Sequence, residues 1–389
     1  MGLAGVCAFV NFYATQPLLP LFAEAFGVTK GEAALTVSAP PVAVALASPW
    51  IGALAGRVGK RRVIVVSLFL LVVPTVLAAT ASGIWTLVGW RFLQGLAVPG
   101  IYAVSISYVS EAWHGRDVGL ALSTLVSSNV VGGFLGRVVA AFAAERLSWR
   151  AAFVALGVLT LAGALAVARW LPEARTAPAR AVPAPLGSRL RDLARPRLLA
   201  TYAVGFNVLF TLVATFTYVT FYLSAPPFGL GPVALSWMFV VYLFGALVTP
   251  LAGRFLDRVG SRRTLTVAAG CGILAGGLTL VPRLWAVAVG LAVACSAAFV
   301  SQAASTNFLH RAVPREAHPA ASGVYVAAYY LGGSAGGVAP ALAWHAGGWP
   351  ACVALVVLVQ VVTMALALWA WAAPPTAGRP LGSAPGLDT

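Results

Sequence analysis

The sequence predicts an all-α integral membrane protein with twelve transmembrane helices in two pseudo-symmetric six-helix halves. Three observations predict it. The 389 residues are 60% hydrophobic and 9% charged, with a mean hydropathy of +0.90, more apolar surface than one water-soluble core of that size can hide. That surface comes in runs of about 20 residues almost free of charge, the length a helix needs to cross hydrocarbon. Between the runs, Lys and Arg gather in every second loop, and several landmarks return about 200 positions later.

The first run, 3–22, stops before Glu24 and is long enough to span rather than act as a cleavable leader. Span two, 33–55, lies between Lys30-Gly31-Glu32 and the basic stretch GRVGKRR, and span three, 63–81, follows that stretch at once. Span four, 84–108, opens on Ile84-Trp85 and leads to a polar joint holding Glu111 and Asp117. Spans five, 118–142, and six, 151–170, are separated by Glu145, Arg146 and Arg150. Spans seven, 198–222, and eight, 233–253, meet at a joint rich in Pro and Gly, and DRVGSRR divides span eight from span nine, 264–281. Span ten, 284–308, begins after Pro282-Arg283, span eleven, 321–343, after the His310–His318 joint, and span twelve, 351–372, after Gly347-Gly348.

The charges test this count. Of the 25 Lys and Arg, nineteen fall in loops after even-numbered spans or in the tail. Four (Lys30, Arg146, Arg150, Arg283) fall in loops after odd-numbered spans, and two (Arg91, Arg137) lie inside spans. Such a bias orients both termini and the even-to-odd loops towards the cytoplasm. The net charge of +15 is thereby a topology signal, and nucleic acid is not an expected partner. The expected organisation is a first half at 1–171, a cytoplasmic linker at 172–197, a second half at 198–372 and a cytoplasmic tail at 373–389. The linker's end sets Leu186, Leu190 and Leu193 at helical spacing against Arg189, Arg191 and Arg195, which suits either a helix on an anionic leaflet or a plain solvated linker.

The halves read as copies. Arg57, Gly59 and Arg62 return as Arg258, Gly260 and Arg263; Trp85, Gly132-Gly133 and Trp149 return as Trp285, Gly332-Gly333 and Trp349. Helical membrane proteins built from two parallel halves are mostly transporters, with the substrate held near the midplane where the halves meet.

At these residues a resemblance emerges. GALAGRVGKRR resembles the loop signature between spans two and three of the major facilitator superfamily, roughly G-x-L-a-D-R-x-G-r-R-x, and GRFLDRVGSRR repeats it between spans eight and nine. RFLQGLAVPG resembles the family's R-x-x-Q-G of span four. NFYATQPLLPLFAEAFGVT and GGFLGR look closest to the bacterial drug- and sugar-efflux branch, including proteins described as arabinose exporters. The resemblance covers essentially the whole chain and implies secondary active transport by alternating access, with efflux and antiport expected. It implies a cytoplasmic gate at Arg57, Gly59, Arg61, Arg62, Asp257, Arg258, Gly260, Arg262 and Arg263. The family's Asp is Gly56 in the first copy, so Arg57, Arg61 and Arg62 are expected to pair with Glu111 or Asp117 instead.

Arginine in hydrocarbon is costly by at least ~2.5 kcal/mol and marks an interior or a cavity. Arg91 lies seven residues into span four and is the first candidate for pathway or coupling; capping backbone carbonyls is its alternative. Arg137 lies near the end of span five, where it could snorkel or meet Glu145 or Glu24. The remaining candidates are Asn11, Gln16, Gln94, Tyr102, Asn129, Asn207, Gln302 and Asn307, which either line a pathway or hold helices together. All ten acids fall in loops or at span ends, and Glu24 is the acid placed to carry a proton.

Gly332-Gly333-Ser334-Ala335-Gly336 matches G-x-S-x-G, but within an apolar helix it signals close packing rather than a nucleophile. No HExxH, CxxC or Walker A is present, so neither an enzyme nor a metal or other cofactor is expected. The expected partners are a small-molecule substrate, the lipid bilayer of a bacterial inner membrane and protons, for a monomeric exporter. Two readings compete with it: an organic-anion importer, suggested by Arg91 and Arg137 with no buried acid opposite, and a transporter-like sensor that no longer moves its ligand.

Overall fold

A computed structural model describes residues 1–112, 116–172, 193–314 and 317–371. These residues are helical apart from short joints between the helices. Span one is broken: α1 (Gly2–Phe12) and α2 (Leu19–Phe26) are joined by a turn and a 3-10 segment, Gln16–Leu18. Pro17 and Pro20 have no N–H to continue the α-helical ladder across this stretch. α3 (Lys30–Val58) opens on a capping box in which Thr29 and Glu32 satisfy each other's backbone N–H groups. α4 (Lys60–Ala78) and α5 (Ile84–Ala112) complete spans three and four; α6 (Arg116–Arg146) and α7 (Trp149–Trp170) follow, α7 capped by Ser148. The second half comprises α8 (Pro196–Ser224), α9 (Pro232–Trp237), α10 (Val241–Leu278), α11 (Leu284–Ala312), α12 (His318–Val338) and α13 (Pro340–Ala370).

Among the described residues nine helices are each long and apolar enough to cross a membrane. The other three spans are present in less regular form. Gly260 leaves helical geometry at φ 82° and divides α10 between spans eight and nine, with α9 as the start of span eight. Gly347 and Gly348 divide α13, whose first turns extend α12 to make span eleven. α12 is less apolar because its sequence is rich in Gly, Ser and Tyr. The total is the expected twelve. Of the linker and tail, residues 173–192 and 372–389, including Leu186 and Leu190, lie outside the described residues.

The repeat is visible in the packing. Gly59 turns the chain at φ 99°, as Gly260 does 201 positions later. In α6, a Cβ on Gly132 or Gly136 would meet the carbonyls of Val6 or Val10 in α1; in α12, a Cβ on Gly332 or Gly336 would meet those of Phe206 or Phe210 in α8. Every member of that contact set recurs at a spacing of 200. Small residues let the two backbones touch, and dispersion between close helices replaces the hydrophobic force that lipid cannot supply. Trp85 and Trp285 are each 65% exposed. Leu70, Leu120, Leu247, Leu274 and Leu342 are also exposed, as lipid-facing side chains should be.

The halves meet at one end only of the described core. One buried cluster draws on both: Phe22, Val37, Leu87 and Phe153 from the first, Phe216, Phe239, Leu291 and Val353 from the second. It lies at the end carrying Lys30, Glu145 and Gly229. Towards the Gly59 and Gly260 end the clusters keep to one half, Ile64, Ile101 and Tyr108 in the first, Leu198, Leu265 and Leu309 in the second. The closed seam is made by α3 against α12, α6 against α9 and α2 against α8.

Candidate functional site

The break in span one creates the demand that Arg91 fills. Ending α1 at Phe12 leaves carbonyls without their usual helical donors, and Pro40 in α3 has no N–H to offer the carbonyl of Thr36. The Arg91 guanidinium reaches all of them. Its Nε donates to Thr36 O at 2.9 Å, Nη1 to Asn11 O at 2.7 Å and to Gln94 Oε1, and Nη2 to Phe12 O. The cation also sits at the negative end of the α1 dipole. Arg91 is 1% exposed, so this brace is fully withdrawn from solvent.

The rest of R-x-x-Q-G extends the brace. Gln94 Nε2 donates to Thr75 Oγ1 at 2.9 Å, and Thr75 donates to Asn11 Oδ1 at 3.3 Å. Asn11 in turn donates to Thr160 Oγ1 at 2.8 Å and to Cys7 O at 3.1 Å. A Cβ on Gly95 would collide with Pro40 and Ala43, so this glycine sets how closely α5 approaches α3. Arg91, Gln94 and Asn11 therefore belong to one buried network that ties spans one, two, three, four and six together. Thr36, Thr75 and Thr160 were missing from the sequence candidates because a threonine in an apolar helix is unremarkable until its neighbours are known. Pro40 was the available signal, since it orphans one particular carbonyl.

Arg137 corrects the expectation for span five. It neither snorkels nor meets Glu145 or Glu24; it is 2% exposed and lies in the closed seam. Nε and Nη2 both donate to Gln16 Oε1, at 2.9 and 2.6 Å, and Nη1 donates to Gly133 O at 2.8 Å. The guanidinium carbon lies 4.4 Å from the ring centre of Phe239, 4.8 Å from Tyr242 and 5.3 Å from Tyr13, within cation–π range. Gln16 also donates to Thr217 Oγ1 of α8 at 3.4 Å, so Gln16 and Arg137 both touch the second half.

Two further charges of the first half close the same seam. Lys30 lies 4.3 Å from the Trp344 ring centre, and Glu145 accepts from the Val233 N–H at the start of α9 at 2.9 Å. In each case the first half supplies the ion and the second supplies a π face or a backbone group. Glu24 is exposed at this end.

The other candidates are spread more widely. Tyr102 is half-buried and packs edge-on against Phe9; Asn129 is half-buried, and its Oδ1 has no hydrogen-bond partner among the described residues. Asn207 donates to Thr363 of span twelve at 2.9 Å, Gln302 accepts from Tyr329 at 3.1 Å, and Asn307 donates to Ser261 at 3.3 Å. These three hold helix pairs within the second half. Tyr13, Tyr242, Tyr329 and Tyr330 were not among the sequence candidates, because an aromatic in an apolar run reads equally well as core.

At the open end, Arg57, Arg62, Asp257, Arg258 and Arg263 are exposed, and Gly59 and Gly260 make the turns. The expected partner of Glu111 is corrected: Lys60 forms this pair, the one salt bridge among the described residues. Arg61 instead caps span six, donating to Leu171 O at 2.6 Å and Ala168 O at 2.9 Å. Arg262 is half-buried, and its Nε has no partner among the described residues.

Three comparisons bear on this geometry. The family model described as Major Facilitator Superfamily matches residues 1–337 and 225–387. The inner membrane transport protein YnfM of Escherichia coli K12 is 28% identical over 363 residues, covering 93% of this chain and 87% of its own. A chloramphenicol resistance protein of Streptomyces lividans is 29% identical over 255 residues, 65% of each chain. Among solved structures, a bacterial homologue of the human lysosomal transporter Spinster, inward-facing and occupied, superimposes with a TM-score of 0.76 at 15% identity over 95% of both chains.

Proposed function

The chain belongs to the Major Facilitator Superfamily, and from that premise we propose that this secondary transporter of small solutes is an exporter, loaded from the cytoplasmic face of a bacterial inner membrane. One observation supports access from the cytoplasmic face. The halves are sealed together at the Lys30 and Glu145 end and part towards the end bearing the basic loops. The positive-inside rule assigns the basic end to the cytoplasm, which makes this the inward-open state. Residues 1–171 and 198–372 act as the two rocking bodies, joined by 172–197, with 373–389 as a cytoplasmic tail. The protein works as a monomer.

Rocking breaks the seam at Arg137, Lys30 and Glu145 and brings the loops of Arg57–Arg62 and Asp257–Arg263 together. Those loops form the cytoplasmic gate of the outward-open state. Coupling is to protons, with Glu24 as the carrier, the acid nearest the closed end of span one. The name of one relative, an inner membrane transport protein, supports inner-membrane placement, and that of another, a chloramphenicol resistance protein, is in keeping with export.

Everted membrane vesicles containing the protein test this directly, with a panel of radiolabelled small organic solutes. Protein-dependent accumulation, collapsed by a protonophore, is expected for at least one solute. Accumulation confined to right-side-out vesicles would reverse the direction, and saturable binding without movement would leave a sensor.

A further inference from the structure

We propose that Arg137, and not Arg91, is the charge that meets the transported solute, and that the solute is a planar aromatic carboxylate. The proposal rests on the exporter reading and specifies its substrate class.

The two buried arginines differ in what holds them. Arg91 spends its guanidinium on three carbonyls and Gln94, two sets of which exist only because a proline or a helix break left them unmet. Arg137 makes three hydrogen bonds to two neutral oxygens. Arginine has five N–H groups, so two remain for a ligand. Among the described residues no carboxylate faces it from the packed elements: α6 carries Asp117 and Glu145 at its ends, α2 carries Glu24 at its exposed end, and Asp257 lies at the far end of span eight. Glu145 is engaged with Val233. A full charge without a counter-ion at this depth is costly, and aromatic faces compensate only part of it.

The repeat shows that a seam can close at this depth without a cation. Position 337, 200 after Arg137, is a glycine. There the opposite seam closes by direct contact of Gly337 with Ser38 and Ala34 of α3, and its own cation, Lys30, sits instead against Trp344 at the start of α3. Arg137 is thus an addition to one seam only.

Tyr13 and Tyr242 face the guanidinium, and the aromatic cluster continues from Tyr13 through Phe12 to Tyr330 and Tyr329. Tyr13, Tyr242, Tyr329 and Tyr330 come from both halves and are all half-buried. Tyr13 packs edge-on against Phe12 at 4.7 Å, Tyr330 against Phe12 at 5.9 Å and Tyr329 against Tyr330 at 5.7 Å. Ring faces, hydroxyl groups and one unneutralised fork suit a flat π system bearing a carboxylate, which arginine binds through parallel N–H bonds. The carboxylate would draw the guanidinium off Phe239 and Tyr242, both from the second half, and so loosen the seam that must open outwards. Binding and release of the closed end are one event.

The test uses the full-length protein in detergent, with benzoate and its neutral isostere benzamide as probes and intrinsic tryptophan fluorescence as the readout. Wild type is expected to prefer benzoate by about tenfold or more. Arg137→Gln should bind the two probes alike. Arg137→Lys keeps the charge but loses the fork, so benzoate should weaken about tenfold while benzamide is unchanged; this variant decides the matter if Arg137→Gln does not fold. Equal binding of the two probes to wild type, binding of neither, a charge preference surviving in Arg137→Gln, or undiminished benzoate affinity in Arg137→Lys would each overturn the assignment. Flux in everted vesicles separates this site from the exporter reading. Arg137-dependent binding without movement removes export and leaves the site, whereas equal export of neutral solutes by wild type and Arg137→Gln removes the site and leaves export.

Discussion

The bond between Arg91 and Thr36 allows a measurement that separates a brace from a pathway residue. Removing the side chain in Arg91→Ala withdraws the donor from the carbonyls of Thr36, Asn11 and Phe12 and from Gln94. Asn11 O keeps a weak donor in the Ala14 N–H at 3.4 Å, whereas Thr36 O cannot be met by its own helix because residue 40 is proline. A buried acceptor left unmet costs ~1–3 kcal/mol, so a loss of ~2–4 kcal/mol is expected once the relief of arginine desolvation is set against it. Pro40→Ala restores one N–H beneath Thr36 O. In the Arg91→Ala background it should therefore be more favourable than in wild type, by ~1 kcal/mol. Unfolding of the four proteins of this cycle in mixed micelles, followed by tryptophan fluorescence, gives the coupling. Additive effects would refute the orphaned-carbonyl argument. Full stability in Arg91→Ala with transport abolished would return Arg91 to the solute pathway.

Four other outcomes are expected. Gly136→Ala and Gly336→Ala should each destabilise by ~1–3 kcal/mol through overpacking against a carbonyl, while Gly52→Ala, with open space around it, should be neutral in the same unfolding assay. In a cysteine-free background, a cysteine at Gly229 should react with an impermeant thiol reagent outside intact cells and one at Arg57 should not; the opposite pattern overturns the topology. Replacing Arg258 and Arg262 together with alanine should shift the population further towards the inward-open form and impair transport, and unchanged kinetics would reduce that loop to an orientation anchor. Glu24→Gln should abolish gradient-driven accumulation while solute exchange persists; accumulation in that variant would remove Glu24 as the proton carrier.

Much of the architecture could be read before any coordinates, because hydropathy, loop charge and the 200-residue echo each report on the bilayer or on gene duplication independently of side-chain detail. The site was legible residue by residue but not as an arrangement. Asn11, Gln94 and Arg91 were each identifiable as polar groups in hydrocarbon. Their union in one network depends on helix rotation and depth, which composition does not encode. Arg137 was misjudged for a definable reason. The apolar pattern of span five fades at residue 142, yet α6 continues to Arg146. The side chain accordingly sits nine residues from the helix end, about 13 Å at 1.5 Å per residue, beyond the reach of the surface. Lys60 as the partner of Glu111 was not legible because Arg57, Arg61 and Arg62 flank it and sequence alone does not say which cation of the loop points towards α5.

The residue 200 positions after Arg91 is Leu291, and this asymmetry between the halves has a mechanical consequence. Five spans of the first half are cross-linked by directional bonds that hold only within a few tenths of an ångström and fail abruptly when stretched. At the same place in the second half, Leu291 lies buried among apolar side chains, where contacts slide and re-form at little cost in energy. A rocking motion imposed on two such bodies does not divide evenly. Around this point the first half transmits load as a stiff frame, whereas the second, whose polar bonds join helices in separate pairs, is the more compliant and takes up more of the strain. Its spans should therefore show the faster amide exchange and the larger change between the two access states.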